Sequence, residues 1–277
     1  MKKILLTLTI ISASMATIAG PAIKAEKSGN GDPILFLPGF TNPGSVWEET
    51  IKNLDGTFEN HVISYAGFNG IEAIEMPWYK TIKDELIDYI IKEDLKNLNI
   101  IGHSMGGTLG ADIAAALPAR IQRLIVVDGL PCMREVMMPG VSADQLQYES
   151  PYNDQMLAMS DEAFKQNASM MAKYMTFRED KVETLTQWIL DADRKTYVYG
   201  YTDLLKLDIQ ESIATITANT LVIAASFPDA QTVKTTMEKQ FDRVPNKEIL
   251  IAENSRHFIM FDKEDWFYEK VNSFLAK

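Results

Sequence analysis

At 277 residues and 46% hydrophobic, the chain is long enough for one large α/β domain with a substantial buried core. Its formal charge of −11 speaks for solubility and excludes the clustered Lys and Arg surface that nucleic acid requires. With a single cysteine, Cys132, no disulfide can close within the chain, and no His or Cys cluster has the spacing of a metal site.

Lys2 and Lys3 precede an apolar run, Ile4 to Ala19, of signal-peptide length and short for a membrane span. Residues 1–25 therefore read as a bacterial secretory signal, cleaved after Ala25 or alternatively after Ala22 or Gly20. The expectation is an exported protein, periplasmic or secreted, with no membrane span left after cleavage. Glu26 to Asp32 is polar and Gly-rich and reads as a linker. Pro33 to Leu37 is an apolar run of buried-strand type, ending at Pro38-Gly39-Phe40-Thr41. Asn42 to Asn53 follows as a helix with Val46, Trp47 and Ile51 on one face. His61 to Tyr65 reads as a strand; His61 is expected to be exposed or capping and is given no role. The loop Ala66 to Gly70 would sit at that strand's C-terminal end, where parallel sheets bind ligands. Phe68 in it is either a pocket wall or a buried anchor. Trp78 to Leu95 is an amphipathic helix through Ile82, Leu86, Tyr89 and Ile90.

Leu98, Ile100 and Ile101 mark a buried strand, and an Ala- and Leu-rich helix runs from Thr108 to a stop at Pro118. Between them stands Gly102-His103-Ser104-Met105-Gly106, which fits a strand–turn–helix nucleophile elbow. Gly102 and Gly106 flank Ser104 because a Cβ at either place would collide across so sharp a turn. Such a turn lifts the hydroxyl clear of the sheet, beside a helix N-terminus that favours negative charge.

Arg123 to Asp128 is a further core strand, broken by Gly129-Leu130-Pro131. From Cys132 to about Ile216 strand signals stop, and the segment holds eight of the fourteen methionines. It reads as several inserted helices. Met156, Met159 and Phe164, and Met170, Met171, Tyr174 and Met175, have helical spacing, which is ordinary packing first. Flexible Met side chains also suit an adaptable apolar pocket, and Met133 and Met137 are candidates for its wall. Strands Thr220 to Ala225 and Glu248 to Ala252 frame a turn carrying Asp229 and a helix from Thr232 to Phe241. The last strand delivers Glu253 to Phe258, and Asp262 to Ala276 closes the chain as an amphipathic helix.

Ser104 alone is a poor nucleophile and needs a base with a pKa near working pH. Of three histidines, His103 is held by the turn and points elsewhere, and His61 lies at the wrong end of its strand. His257 remains. It in turn needs an acid to fix its tautomer.

Leu37-Pro38-Gly39-Phe40, the Gly102–Gly107 elbow, the Thr220 to Ala225 strand and Ser255-Arg256-His257-Phe258 together resemble the α/β-hydrolase superfamily. The resemblance covers about Pro33 to Phe274. It implies a mostly parallel sheet flanked by helices, built from residues 26–130 and 217–277, with a helical cap (131–216) inserted after the strand ending at Asp128. It also implies an oxyanion hole from the backbone N–H groups of Phe40 and Met105, with Pro38 standing where the superfamily usually has His. His257 occupies the superfamily's place for the base, and Phe258 beside it is a candidate for the substrate pocket. For the acid, the superfamily's commonest place corresponds to Asp229, although this Asp comes one residue late and after a Pro. Asp128 is the less common alternative and the first choice here. Its Asp-Gly-Leu-Pro context resembles an exported hydrolase and esterase subgroup. The implied activity is that of a serine hydrolase working through an acyl-enzyme, a carboxylesterase on small or medium apolar esters, with no metal or cofactor. A thioesterase, lactonase, amidase or carbon–carbon hydrolase would use the same groups. A ligand-binding protein that keeps the fold is the reading from another class.

Overall fold

A computed structural model describes residues 20–277. The strands are β1 (Ile23–Gly29), β2 (Asp32–Leu37), β3 (Phe58–Tyr65), β4 (Leu98–His103), β5 (Ile121–Val127), β6 (Asn219–Ala225) and β7 (Lys247–Ala252). They form one sheet in the order β1-β3-β2-β4-β5-β6-β7. Every neighbouring pair is parallel except β1 with β3. The central strands read as unbroken apolar runs because helices cover both faces. On one face lie α2 (Trp78–Lys92), α3 (Met105–Ala116) and α9 (Ala230–Gln240), burying Ile82, Leu86, Leu109, Ile113 and Met237. The other face is covered by α11 (Glu264–Leu275) through Phe267, Val271 and Phe274, and by Trp47 just before the short α1 (Glu48–Lys52). The closing helix expected over Asp262 to Ala276 is α11, and a short α10 (Ile259–Asp262) precedes it.

Between β5 and β6 the described chain is helical: α4 (Met133–Met137), α5 (Pro151–Leu157), α6 (Asp161–Met175), α7 (Glu179–Leu190) and α8 (Arg194–Lys206). Each of α5, α6 and α8 starts at a side-chain cap, from Ser150, Ser160 and Asp193 respectively. This cap has an apolar core of its own, where Met156, Phe164, Ile189 and Tyr197 meet.

Two expectations need correction. Of the segment read as a linker, Glu26 to Gly29 belongs to β1, which pairs with β3 from Ile23 opposite Tyr65 to Gly29 opposite Glu59. An edge strand is held by backbone hydrogen bonds along one side and needs no apolar run, so its polar sequence hid it. His61 is not exposed. Its ring is wholly buried, with Nδ1 2.6 Å from the Tyr89 hydroxyl and Nε2 2.7 Å from Glu59 Oε1. Burial pushes its pKa below the ordinary value, against the pull of Glu59. Of the expected signal segment, residues 1–19 lie outside the described residues, while Ile23 to Ala25 belong to β1.

Candidate active site

Ser104 stands between the end of β4 and the start of α3 with φ 55° and ψ −122°. A non-glycine residue in such a conformation costs on the order of 1–3 kcal/mol and persists only where its surroundings over-determine it. The surroundings here are its flanking glycines. A Cβ on Gly102 would stand 2.2 Å from the Gly106 carbonyl oxygen, and one on Gly106 2.2 Å from that of Leu37. The turn is further tied by Ser104 N donating to Val127 O at 2.7 Å and by Gly107 N donating to Ser104 O at 2.9 Å.

His257 leaves the C-terminal end of β7 on the loop before α10, and its Nδ1 lies 2.6 Å from Asp128 Oδ2. Asp128 follows β5 at φ 52°, in the left-handed region that Asp tolerates better than most residues. Its other oxygen, Oδ1, accepts from Ala225 N at 2.9 Å. Burial acts to raise this carboxyl's pKa. The His257 hydrogen bond and charge, with the Ala225 amide, outweigh burial and hold it below the usual carboxylate range. An ionised Asp128 only accepts, so the His257 proton sits on Nδ1 and Nε2 keeps a lone pair. Asp229 does something else. It is exposed and caps α9, Oδ1 accepting from Thr232 N at 2.9 Å.

His103 is fully buried directly behind His257, its ring centroid 4.6 Å from the His257 ring. Its Nε2 lies 2.9 Å from the His257 carbonyl oxygen, and its Nδ1 faces Asn42 Nδ2 at 3.4 Å. A carbonyl only accepts, so Nε2 carries the proton. Burial first, and then the neighbouring His257, lower the His103 pKa to about 3. It is a neutral donor to the main chain of His257. Phe40 and Met105, whose amides are the candidate oxyanion donors, line the same cavity as Ser104.

Ser104, Asp128 and His257 all open into one cavity of about 520 Å³ between the sheet's C-terminal edge and the cap. Met105, Met133, Met137, Met171, Met175 and Met237 line it, with Leu185, Ile189 and Phe258. Of the pocket candidates, Met133, Met137 and Phe258 are among the lining residues, whereas Phe68 is not. It is buried behind the cavity as an anchor for Phe40, with ring centroids 4.9 Å apart. The polar part of the wall, which includes Thr41, Asn42, Thr108, Tyr197 and Tyr201, was not anticipated. Tyr197 and Tyr201 are one turn apart on α8, the only hint their spacing offered. Among the described residues, no Lys or Arg lines the cavity, and its only carboxylate is that of Asp128.

Comparison with known proteins identifies relatives in sequence and in fold. The pimeloyl-[acyl-carrier protein] methyl ester esterase of Aeromonas hydrophila is 20% identical over 264 residues, 92% of this chain and 100% of that protein. The N-formylmaleamate deformylase of Pseudomonas putida is 21% identical over 252 residues, 89% of this chain and 90% of that protein. An esterase of Exiguobacterium antarcticum superposes with a TM-score of 0.73 at 18% identity, covering 92% of this chain and 96% of that one. The enol-lactonase of Burkholderia xenovorans also reaches 0.73, at 15% identity and with the same coverage of both chains. At these identities the structural likeness concerns the fold. The model of the alpha/beta hydrolase family matches residues 34–270, from β2 to the closing helix, and the chain therefore belongs to that family of hydrolase enzymes.

Proposed function

We propose that the protein is a serine carboxylesterase acting on uncharged, apolar esters of small to medium size. The observation that carries this reading is the 2.6 Å Asp128–His257 bond, in the cavity that also receives the strained Ser104. In the proposed cycle, His257 Nε2 takes the Ser104 proton as Oγ attacks the ester carbonyl, and the Phe40 and Met105 amides stabilise the oxyanion. One such donor contributes about 3 kcal/mol to the transition state. His257 then protonates the departing alcohol. Water, deprotonated by the same nitrogen, releases the acid and restores Ser104. Asp128 stays ionised throughout and stabilises the imidazolium. The substrate class follows from the wall. An anionic acyl or alcohol group would meet no Lys or Arg among the described residues of the wall, and desolvating an unpaired charge is costly.

Labelling with a fluorophosphonate probe tests the nucleophile. Wild type should label, and Ser104→Ala and His257→Ala should not. Folded wild-type protein that neither labels nor hydrolyses any of a panel of neutral p-nitrophenyl esters would remove the proposal.

We also propose export, on Lys2, Lys3 and the apolar run after them. Cleavage after Gly20 leaves β1 whole, along with the 2.7 Å bond from Ala22 N to Glu85 Oε2. Cleavage after Ala25 removes three of that strand's seven residues. Cleavage after Ala22 keeps β1 whole as well, so N-terminal sequencing of the protein from the extracytoplasmic fraction should find Pro21 or Ile23 first. Retention of Met1 in that material would sink the signal reading.

A further inference from the structure

We propose that Asp262 is a positioning residue for the catalytic base and that it ties the base to the cap. The inference rests on His257 being the base, as argued above.

Asp262 ends α10, five residues beyond His257, and its two carboxylate oxygens are engaged on different parts of the protein. Oδ2 accepts from the backbone N–H of Arg256, the residue before His257, at 2.7 Å. Oδ1 accepts from the Thr176 hydroxyl at 2.6 Å and from Phe177 N at 2.9 Å, both in the turn joining α6 to α7 of the cap. Thr176 is buried, and its hydroxyl oxygen also accepts from Arg178 N at 3.0 Å. Hydrogen bonds donated to a carboxylate are about twice as strong as those to a neutral acceptor.

The same cap turn holds the other side of the base. Phe258 N, directly after His257, donates to Met175 O at 3.0 Å. The Arg256 guanidinium donates to the Lys173 and Thr176 carbonyls and lies over the Phe177 ring, 4.3 Å from its centroid. His257 is therefore flanked by two residues whose amides are fixed by the α6–α7 turn, one directly and one through Asp262. The core supplies two further bonds, one from His103 to the His257 carbonyl and one between Asp128 and the His257 ring.

Met171 and Met175 on α6, and Leu185 and Ile189 on α7, form one wall of the substrate cavity. The helices that would grip an apolar chain are those whose junction aims the base. The imidazole must stay within about 0.5 Å of its productive place, since a displacement near 1 Å can cost about a hundredfold in rate. Loss of the Asp262 link should therefore lower kcat far more than it raises KM.

The test compares Asp262→Asn, Thr176→Val and the double variant with wild type on p-nitrophenyl butyrate, with melting curves on the same samples. An amide at position 262 keeps one acceptor oxygen and turns an NH₂ donor toward one of its present donors. It should cut kcat about tenfold or more while KM stays within about twofold. Thr176→Val removes only the hydroxyl link on the cap side and should give a smaller fall of the same kind. In the double variant the losses should not multiply, because the hydroxyl acts through the carboxylate. The inference is overturned if folded Asp262→Asn keeps its kcat, if KM rather than kcat carries the loss, or if the two losses multiply. Should Asp262→Asn not fold, an unchanged kcat in folded Thr176→Val overturns it alone. A wild type without turnover or labelling would instead defeat the serine-esterase reading, and this inference with it.

Discussion

Replacing Asp128 by Asn changes one atom and tests the proposed mechanism at its most specific point. Position 128 sits at φ 52°, which Asn tolerates as well as Asp, so the backbone should not move. The side chain's orientation is also set. Ala225 N–H, 2.9 Å from Oδ1, requires an acceptor there, so the amide oxygen takes that place and the NH₂ faces His257. A donor 2.6 Å from Nδ1 forces that nitrogen to accept, and the ring proton shifts to Nε2. Nε2 can then no longer take the Ser104 proton. Triads with the wrong tautomer lose about 10⁴ in kcat, which corresponds to about 5.5 kcal/mol of transition-state stabilisation. Folding should survive, at a cost of about 1.5–3 kcal/mol for the lost charged hydrogen bond. The assay is kcat on p-nitrophenyl butyrate, with a urea melt to show the fold is intact. Asp229→Asn is the control. It retains a good helix cap and should stay within about twofold of wild type in kcat. More than a tenth of wild-type kcat in Asp128→Asn, or a larger loss in Asp229→Asn, would refute the reasoning.

Three further outcomes are expected. Gly106→Ala should give insoluble or inactive protein in expression trials, because its Cβ would stand 2.2 Å from one backbone oxygen and 2.4 Å from another, those of Leu37 and Pro38. Ile189→Trp fills the cap side of the cavity and should lower kcat/KM for hexanoyl esters about tenfold or more relative to acetyl esters, in a chain-length series. Stability should fall as pH drops from about 6.5 toward 3, because His103 is held neutral with a folded pKa of about 3 against about 6.5 in the unfolded chain. Above that window His103 contributes fully. Within it the unfolded state binds the extra proton, at up to about 1.4 kcal/mol per pH unit. Urea melts of wild type and His103→Gln between pH 4 and 8 check this, and an equally steep fall in the variant would rule His103 out as the cause.

Local covalent geometry is what made the elbow legible. Two glycines around a serine, after an apolar run and before an Ala-rich helix, satisfy a turn whose steric demands are all within a few residues. The central strands were equally readable, since burial on both faces demands continuous apolar runs. His257 followed from there being three histidines and one suitable place. Other features depend on partners far away in sequence, and there local pattern is silent. β1 exists because β3 offers a free edge, and His61 is buried because Tyr89 and Glu59 satisfy both its nitrogens. Phe68 is an anchor and not a wall because Phe40 and Trp78 close over it.

The choice between two acids shows the division most sharply. Asp128 and Asp229 both follow core strands, and both sit in turns where a carboxylate is unremarkable in sequence. Chain order could place either near His257. Only the packing of β5 beside β6 brings Asp128 under the His257 ring while the Asp229 side chain turns outward to cap α9. The elbow that carries the proposed nucleophile and the order of the elements were written locally, in steric and hydrophobic terms. Which carboxylate meets the imidazole was decided by long-range contact, over a sequence separation of 129 residues.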